Sequence, residues 1–144
     1  MSTALAAIGM ALALAQPPAQ RQLPRTTEEC LNKAANPSEI ARCEDRELRR
    51  LQNVVTQRYR QLIEAVRQHK TFGKDDQLLR KVEAEQKAWD RYATAFLAAL
   101  YPVPESERVT VFGTQYLYDS LAARGLLLSL RVSALERLIH QYAD

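Results

Sequence analysis

The chain has few of the residues from which most reactive centres are built: two histidines, two cysteines, four glycines and one tryptophan in 144 residues. Four scattered glycines provide neither a Gly-rich loop to cradle a phosphate nor the turn that exposes a serine nucleophile. His69 and His140 are remote from each other and have no evident nucleophile, and no Cys-x-x-Cys pair is present. Nothing therefore points to a catalytic centre, a metal site or a cofactor. Proline is also scarce, and three of the six prolines, Pro17, Pro18 and Pro24, precede residue 25, which leaves long stretches free to be helical. With 47% hydrophobic residues, the composition fits one all-α domain with a real core.

Charge is missing altogether from Met1 to Ala15. This apolar run ends in Ala13-Leu14-Ala15 and is followed by Gln16-Pro17-Pro18. It is too short to span a bilayer and fits a secretory signal peptide cleaved after Ala15, although it lacks a cationic leader; the alternative is a disordered or membrane-grazing tail. No cysteine follows it directly, so a lipid anchor has no support. Residues 16–25 read as a Pro/Gln-rich extended linker and 26–144 as the domain, which would be periplasmic or secreted with no transmembrane segment in the mature chain.

Helix signals dominate the remainder. Thr26-Thr27-Glu28-Glu29 and Asn36-Pro37-Ser38-Glu39 both follow capping-box logic, predicting a short helix over about Thr27–Ala35 and a long one from Pro37 to about Lys70. Cys30 and Cys43 stand six residues on either side of the Asn36-Pro37 pivot. A helical hairpin there brings them to similar height, so they can form a disulfide; two buried free thiols are the alternative in a reducing compartment. Thr71-Phe72-Gly73-Lys74 breaks the pattern, with Gly73 as a helix terminator. A third helix then runs to about Leu100, with Leu79, Val82, Trp89, Ala93, Phe96 and Leu100 on one seam and Gln86 among them. A buried amide needs a partner, so Gln86 reads as a structural hydrogen-bonding group, and Trp89, Tyr59, Tyr92 and Phe96 as the aromatic core. Glu105 to Thr114 reads as an ordered loop, because the β-branched Val109-Thr110-Val111 has no strand to pair with. A last helix covers about Gln115–Tyr142, bent near Gly125, with Leu117, Leu121, Leu128, Leu135 and Leu138 as its stripe. The fold expected is an antiparallel bundle of three long helices plus a short N-terminal one, with one disulfide.

Arg42, Arg46, Arg49, Arg50, Arg58, Arg60 and Arg67 make the second helix basic, and the whole chain carries a formal +3. In an exported protein such a face is solvated or meets anionic envelope polymers or lipids; nucleic acid is not an expected partner.

The ordered set Cys30, Cys43, Tyr59, Leu62, Gln86-x-Ala88-Trp89-x-x-Tyr92, then Arg131 and Leu135, resembles the LprI-like family of exported proteins, named for a lysozyme-inhibitor lipoprotein. The chain departs from the family pattern where a second disulfide usually lies: Ala93, Thr94 and Leu97 replace an Arg-Asp and a third cysteine, and a fourth is also missing. The resemblance implies a non-enzymatic binder of lysozyme or another envelope enzyme. Residues 102–113, with Glu105 and Glu107, are one candidate contact, and Arg42, Arg46 and Arg49 another. A net +3 chain would be repelled by a cationic lysozyme unless a local acidic patch overrides it. The competing expectation is a structural or stress-related envelope protein that binds anionic glycans or lipids through the basic helix.

Overall fold

The computed structural model describes residues 21–71 and 76–143, so the expected signal peptide, most of the linker and Gly73 lie outside the described residues. Five helices follow in order: α1 (Arg25–Lys33), α2 (Pro37–Gln68), α3 (Asp76–Leu100), α4 (Glu105–Phe112) and α5 (Gln115–Tyr142). No helix among the described residues is long and apolar enough to cross a membrane. The all-α, disulfide-pinned bundle expected from sequence is the fold found.

Helix α2 begins where the capping pattern places it. Asn36 Oδ1 accepts from the Glu39 amide at 3.0 Å while the Glu39 carboxylate accepts from the Ala35 amide at 2.7 Å, so two otherwise orphaned donors are satisfied. Helix α1 starts earlier than expected, at Arg25, because the Pro24 carbonyl takes the Thr27 and Glu28 amides and Thr26 makes no side-chain cap. The segment expected to be a loop after Pro104 is instead α4. Its β-branched residues have no strand to join, and helical bonds satisfy their amides locally.

Three long helices run up, down and up. Arg58 of α2 pairs with Glu136 of α5 at 3.0 Å, and His69 lies edge-on to Tyr142, so α2 and α5 run parallel. Helix α3 returns antiparallel between their ends. At one end Leu62, Val66, Val82 and Leu135 form a closed cluster with Tyr59, Leu78, Leu79, Leu138 and Ile139 packed around it. Tyr92 and Ala88 do not belong to the core. Tyr92 is 53% exposed, because a helix leaning on a two-helix pair buries one stripe, and those two positions stand about a third of a turn off it. The α5 stripe is also displaced: Tyr116, Ser120, Leu127, Arg131 and Leu135 face inward, whereas Leu117 is 48% exposed.

The opposite half of α2 buries two charged residues, Glu44 and Glu47, beside Leu48 and Leu51. The disulfide between Cys30 and Cys43, with Cα atoms 5.9 Å apart, holds α1 against α2, and closing a loop of this size stabilises by about 3 kcal/mol. Beside it the buried Thr27 hydroxyl donates to Glu47 at 2.9 Å, and Arg50 donates to both Glu47 oxygens. Arg21 donates twice from Nη2 to the Glu44 carboxylate, at 2.9 and 2.8 Å, and from Nη1 to the Ala122 carbonyl at 3.1 Å. Gly125 makes this possible, since a Cβ there would stand 2.3 Å from Arg21 Nη1.

Two tests follow from these contacts. Gly125→Ala carries a helix-propensity gain of about 1 kcal/mol, which should appear in full only in an Arg21→Ala background. In the parent chain displacement of Arg21 should cancel it, giving a coupling of about 1 kcal/mol in a urea-unfolding double-mutant cycle. For Glu47, burial raises the pKa, but the hydrogen bonds from Arg50 and Thr27 and the charges of Arg50 and Arg21 outweigh it and leave it below 4.5. A depressed carboxyl pKa contributes stability that is complete above the unfolded value and lost as pH falls through the folded one. Stability curves of the parent and Glu47→Gln should therefore stand furthest apart above about pH 4.5 and converge as pH falls below it.

Candidate protein-binding surface

Two constellations stand out once the helices are placed. The first is internal. Arg131 projects from the inner stripe of α5, is fully buried, and donates to the two Glu85 oxygens at 2.5 and 2.7 Å and to Gln86 Oε1 at 2.6 Å. Its guanidinium also lies 5.2 Å from the Trp89 ring centroid, a cation–π distance. Gln86 turns its amide nitrogen to Asp90 at 3.0 Å, so each end of the amide is used. Periodicity placed Gln86 on the seam but could not identify its partner. Glu85, which supplies the charge, sits one position off the seam and was missed for that reason.

Such a cluster holds α3 in register; it offers no reacting group an approach. Arg131 is enclosed, its Nε has no hydrogen-bond partner, and among the described residues no group of three or more metal-binding side chains gathers anywhere.

The second constellation is at the surface, where the chain turns from α3 through α4 into α5. Tyr101, Phe112 and Tyr116 form a ring cluster, with centroids 4.8 Å apart for Tyr101–Tyr116 and 5.5 Å for Tyr101–Phe112. Arg108 is drawn inward, donating to the Val103 carbonyl and the Tyr116 hydroxyl. Gly113, at φ 75°, allows the sharp entry into α5. What faces outward is apolar: Leu100, Val109, Val111, Phe112 and Leu117 are all exposed, Val111 by 56%. Glu105 and Glu107 occupy the first turn of α4, where the helix dipole favours them, and Asp119 is near enough to help raise the Tyr101 phenol, after burial.

The structure sorts the other candidate residues. Arg42 lines a groove with Asn36, Pro37, Ser38, Thr114 and Leu117, at the same end of the bundle as α4. Arg46 stands over the α1–α2 groove near the Thr26 carbonyl, at 3.5 Å. Arg49 is paired with Asp45 on the same helix and is not drawn to that end. Tyr59 packs on the core and Leu62 is wholly enclosed in it.

Charge is unevenly spread along the bundle. Within residues 101–123, which form the α4 corner, Glu105, Glu107 and Asp119 outnumber Arg108. The α4 corner is thus locally acidic in a chain of formal charge +3.

Fold and surface together define a small disulfide-pinned helical bundle with an internal arginine clamp and an exposed apolar and acidic end. A family model described as lysozyme inhibitor LprI matches residues 30–124, more than half of the chain, and the protein belongs to that family. Arg131 lies beyond the matched segment. No curated protein and no solved structure matches the chain.

The arginine clamp makes an asymmetric prediction. Glu85→Ala strands a buried guanidinium and should cost about 3 kcal/mol, although Glu85 itself is 42% exposed. Arg131→Met removes the charge together with its need for a partner and should cost less, as measured by urea denaturation.

Proposed function

We propose that this protein is an exported, non-enzymatic inhibitor that binds lysozyme, or an envelope enzyme of similar charge, through the α4 end of the bundle. The family description supports the inhibitor reading. The observation that carries the choice of surface is the exposed Val109, Val111, Phe112 and Leu117 beside Glu105 and Glu107.

An interface of this type combines an apolar anchor with charges that direct encounter. Phe112 is braced from behind by Tyr101 and is positioned before the partner arrives, which lowers the ordering cost of binding. The local acidic excess of Glu105, Glu107 and Asp119 over Arg108 at this corner answers the objection raised by the overall charge. At physiological salt the screening length is about 8 Å, so an approaching cationic enzyme senses the nearest patch more than the distant arginines. Export accords with the uncharged apolar run Met1–Ala15 and with the cysteine pair in its oxidised state, since disulfides persist outside the reducing cytosol.

The test is inhibition of lysozyme by the purified chain. Phe112→Ser combined with Val111→Asp should weaken inhibition at least tenfold, while Glu105→Lys combined with Glu107→Lys should slow association and reduce its salt dependence. Absence of inhibition at micromolar concentration by the parent chain refutes the reading.

A further inference from the structure

The acidic residues of the α4 corner have a counterpart at the other end of the bundle. Around the Leu62, Val66, Val82 and Leu135 cluster, the exposed cations Arg60, Arg67, Lys70, Arg80, Lys81 and Arg137 each stand within about a turn of a core residue. Five of them come from three helices and Lys70 from the turn after α2, and among the described residues none of them has an ion-pair partner. The neighbouring acids are fewer: Glu136 is paired with Arg58, which leaves Glu64, still charged although it accepts from Gln68, with Asp76 and Glu83 on this half.

We propose that this end of the bundle is an electrostatic docking surface for an anionic lipid bilayer, one that holds the protein at the membrane with the α4 end turned away. Three features favour a bilayer over a discrete ligand or a single polymer strand. The cations are spread over three helices instead of lining one groove, which fits a broad charged plane. They are long, solvated side chains with no enclosed site between them, and diffuse attraction to anionic headgroups requires no more. The two ends also act separately: α2 alone is 32 residues, about 48 Å long, several screening lengths at physiological salt. The acids of the α4 corner, Glu105, Glu107 and Asp119, therefore do not cancel the attraction of the cationic end, and their repulsion from the same surface favours an orientation with that corner turned away. The proposal is independent of lysozyme binding.

The experiment is cosedimentation of the purified chain with vesicles containing phosphatidylglycerol and phosphatidylcholine, or phosphatidylcholine alone. Binding is expected only to the anionic vesicles and should be lost as salt is raised. Arg60→Glu combined with Arg67→Glu should reduce the partition coefficient at least tenfold. The same charge change at the other end, Arg42→Glu combined with Arg46→Glu, should reduce it less than twofold. Arg137→Glu gives a second reading from α5, and lysozyme inhibition in solution should be unchanged in the Arg60/Arg67 variant. Equal losses from both pairs would reduce the effect to net charge and overturn the proposal. Failure of the parent chain to bind anionic vesicles at low salt, or retention by soluble polygalacturonate without vesicle binding, would overturn it as well.

Discussion

A fully buried guanidinium fixes the geometry of this bundle. Arg131 lies where an apolar residue would complete the α5 stripe, and its charge is tolerable only because Glu85, Gln86 and the Trp89 face converge on it. All three come from α3, a helix with a single fully buried apolar residue, Val82. Generic packing would leave such a helix free to slide or rotate on the α2–α5 pair. A bidentate carboxylate contact has one geometry, so the clamp sets both the rotation and the height of α3, and with them the point at which the chain turns into α4.

The same arrangement recurs on the other side of α2. Glu44 and Glu47 are buried, and each is matched by a guanidinium, from Arg21 and Arg50. The bundle is therefore held at one end by a conventional apolar cluster, and along the rest of its length by ion pairs and one disulfide set among Leu48, Leu51, Leu127 and the Tyr101–Tyr116 aromatic corner. In such a small domain, buried pairs add little net stability beyond what an apolar core would give, but they discriminate strongly between correct and shifted registers. Gly125 belongs to this scheme as the notch through which Arg21 reaches the Ala122 carbonyl. The glycine that the sequence marks as a possible bend removes a side chain where that of Arg21 must pass.

Much of the fold was legible because helix signals are local. The Asn36 cap, the proline after it, the spacing of Cys30 and Cys43 and the Leu79-Val82-Gln86-Trp89 seam all report on neighbours within a turn or two. What escaped reading depends on distant partners. An apolar count cannot see that the inner face of α5 passes through Ser120 and Arg131, and so it assigned Leu117 to the core although it is largely exposed. Nor can it tell that Tyr92, one turn from two seam residues, stacks against Trp89 and Phe96 on the outer side. The β-branched run in α4 was misread for the opposite reason. Local propensity argued against helix there, and the absence of a partner strand, together with the anchor at Tyr101 and Tyr116, overrode it.

The surface follows from the same constraints. Once α3 is fixed by its N-terminal half, its C-terminal end and α4 must close over the start of α5 with whatever apolar residues remain, and the aromatic trio uses only the inner side of that corner. Val109, Val111 and Leu117 are left facing outward because no fourth long helix among the described residues covers them. Isolated exposed apolar residues are ordinary in soluble proteins, but here Leu100, Val109, Val111, Phe112 and Leu117 gather at one braced turn of the chain. Glu105 and Glu107 border these residues on the first turn of α4, so the corner joins apolar area to local negative charge in a chain of formal charge +3.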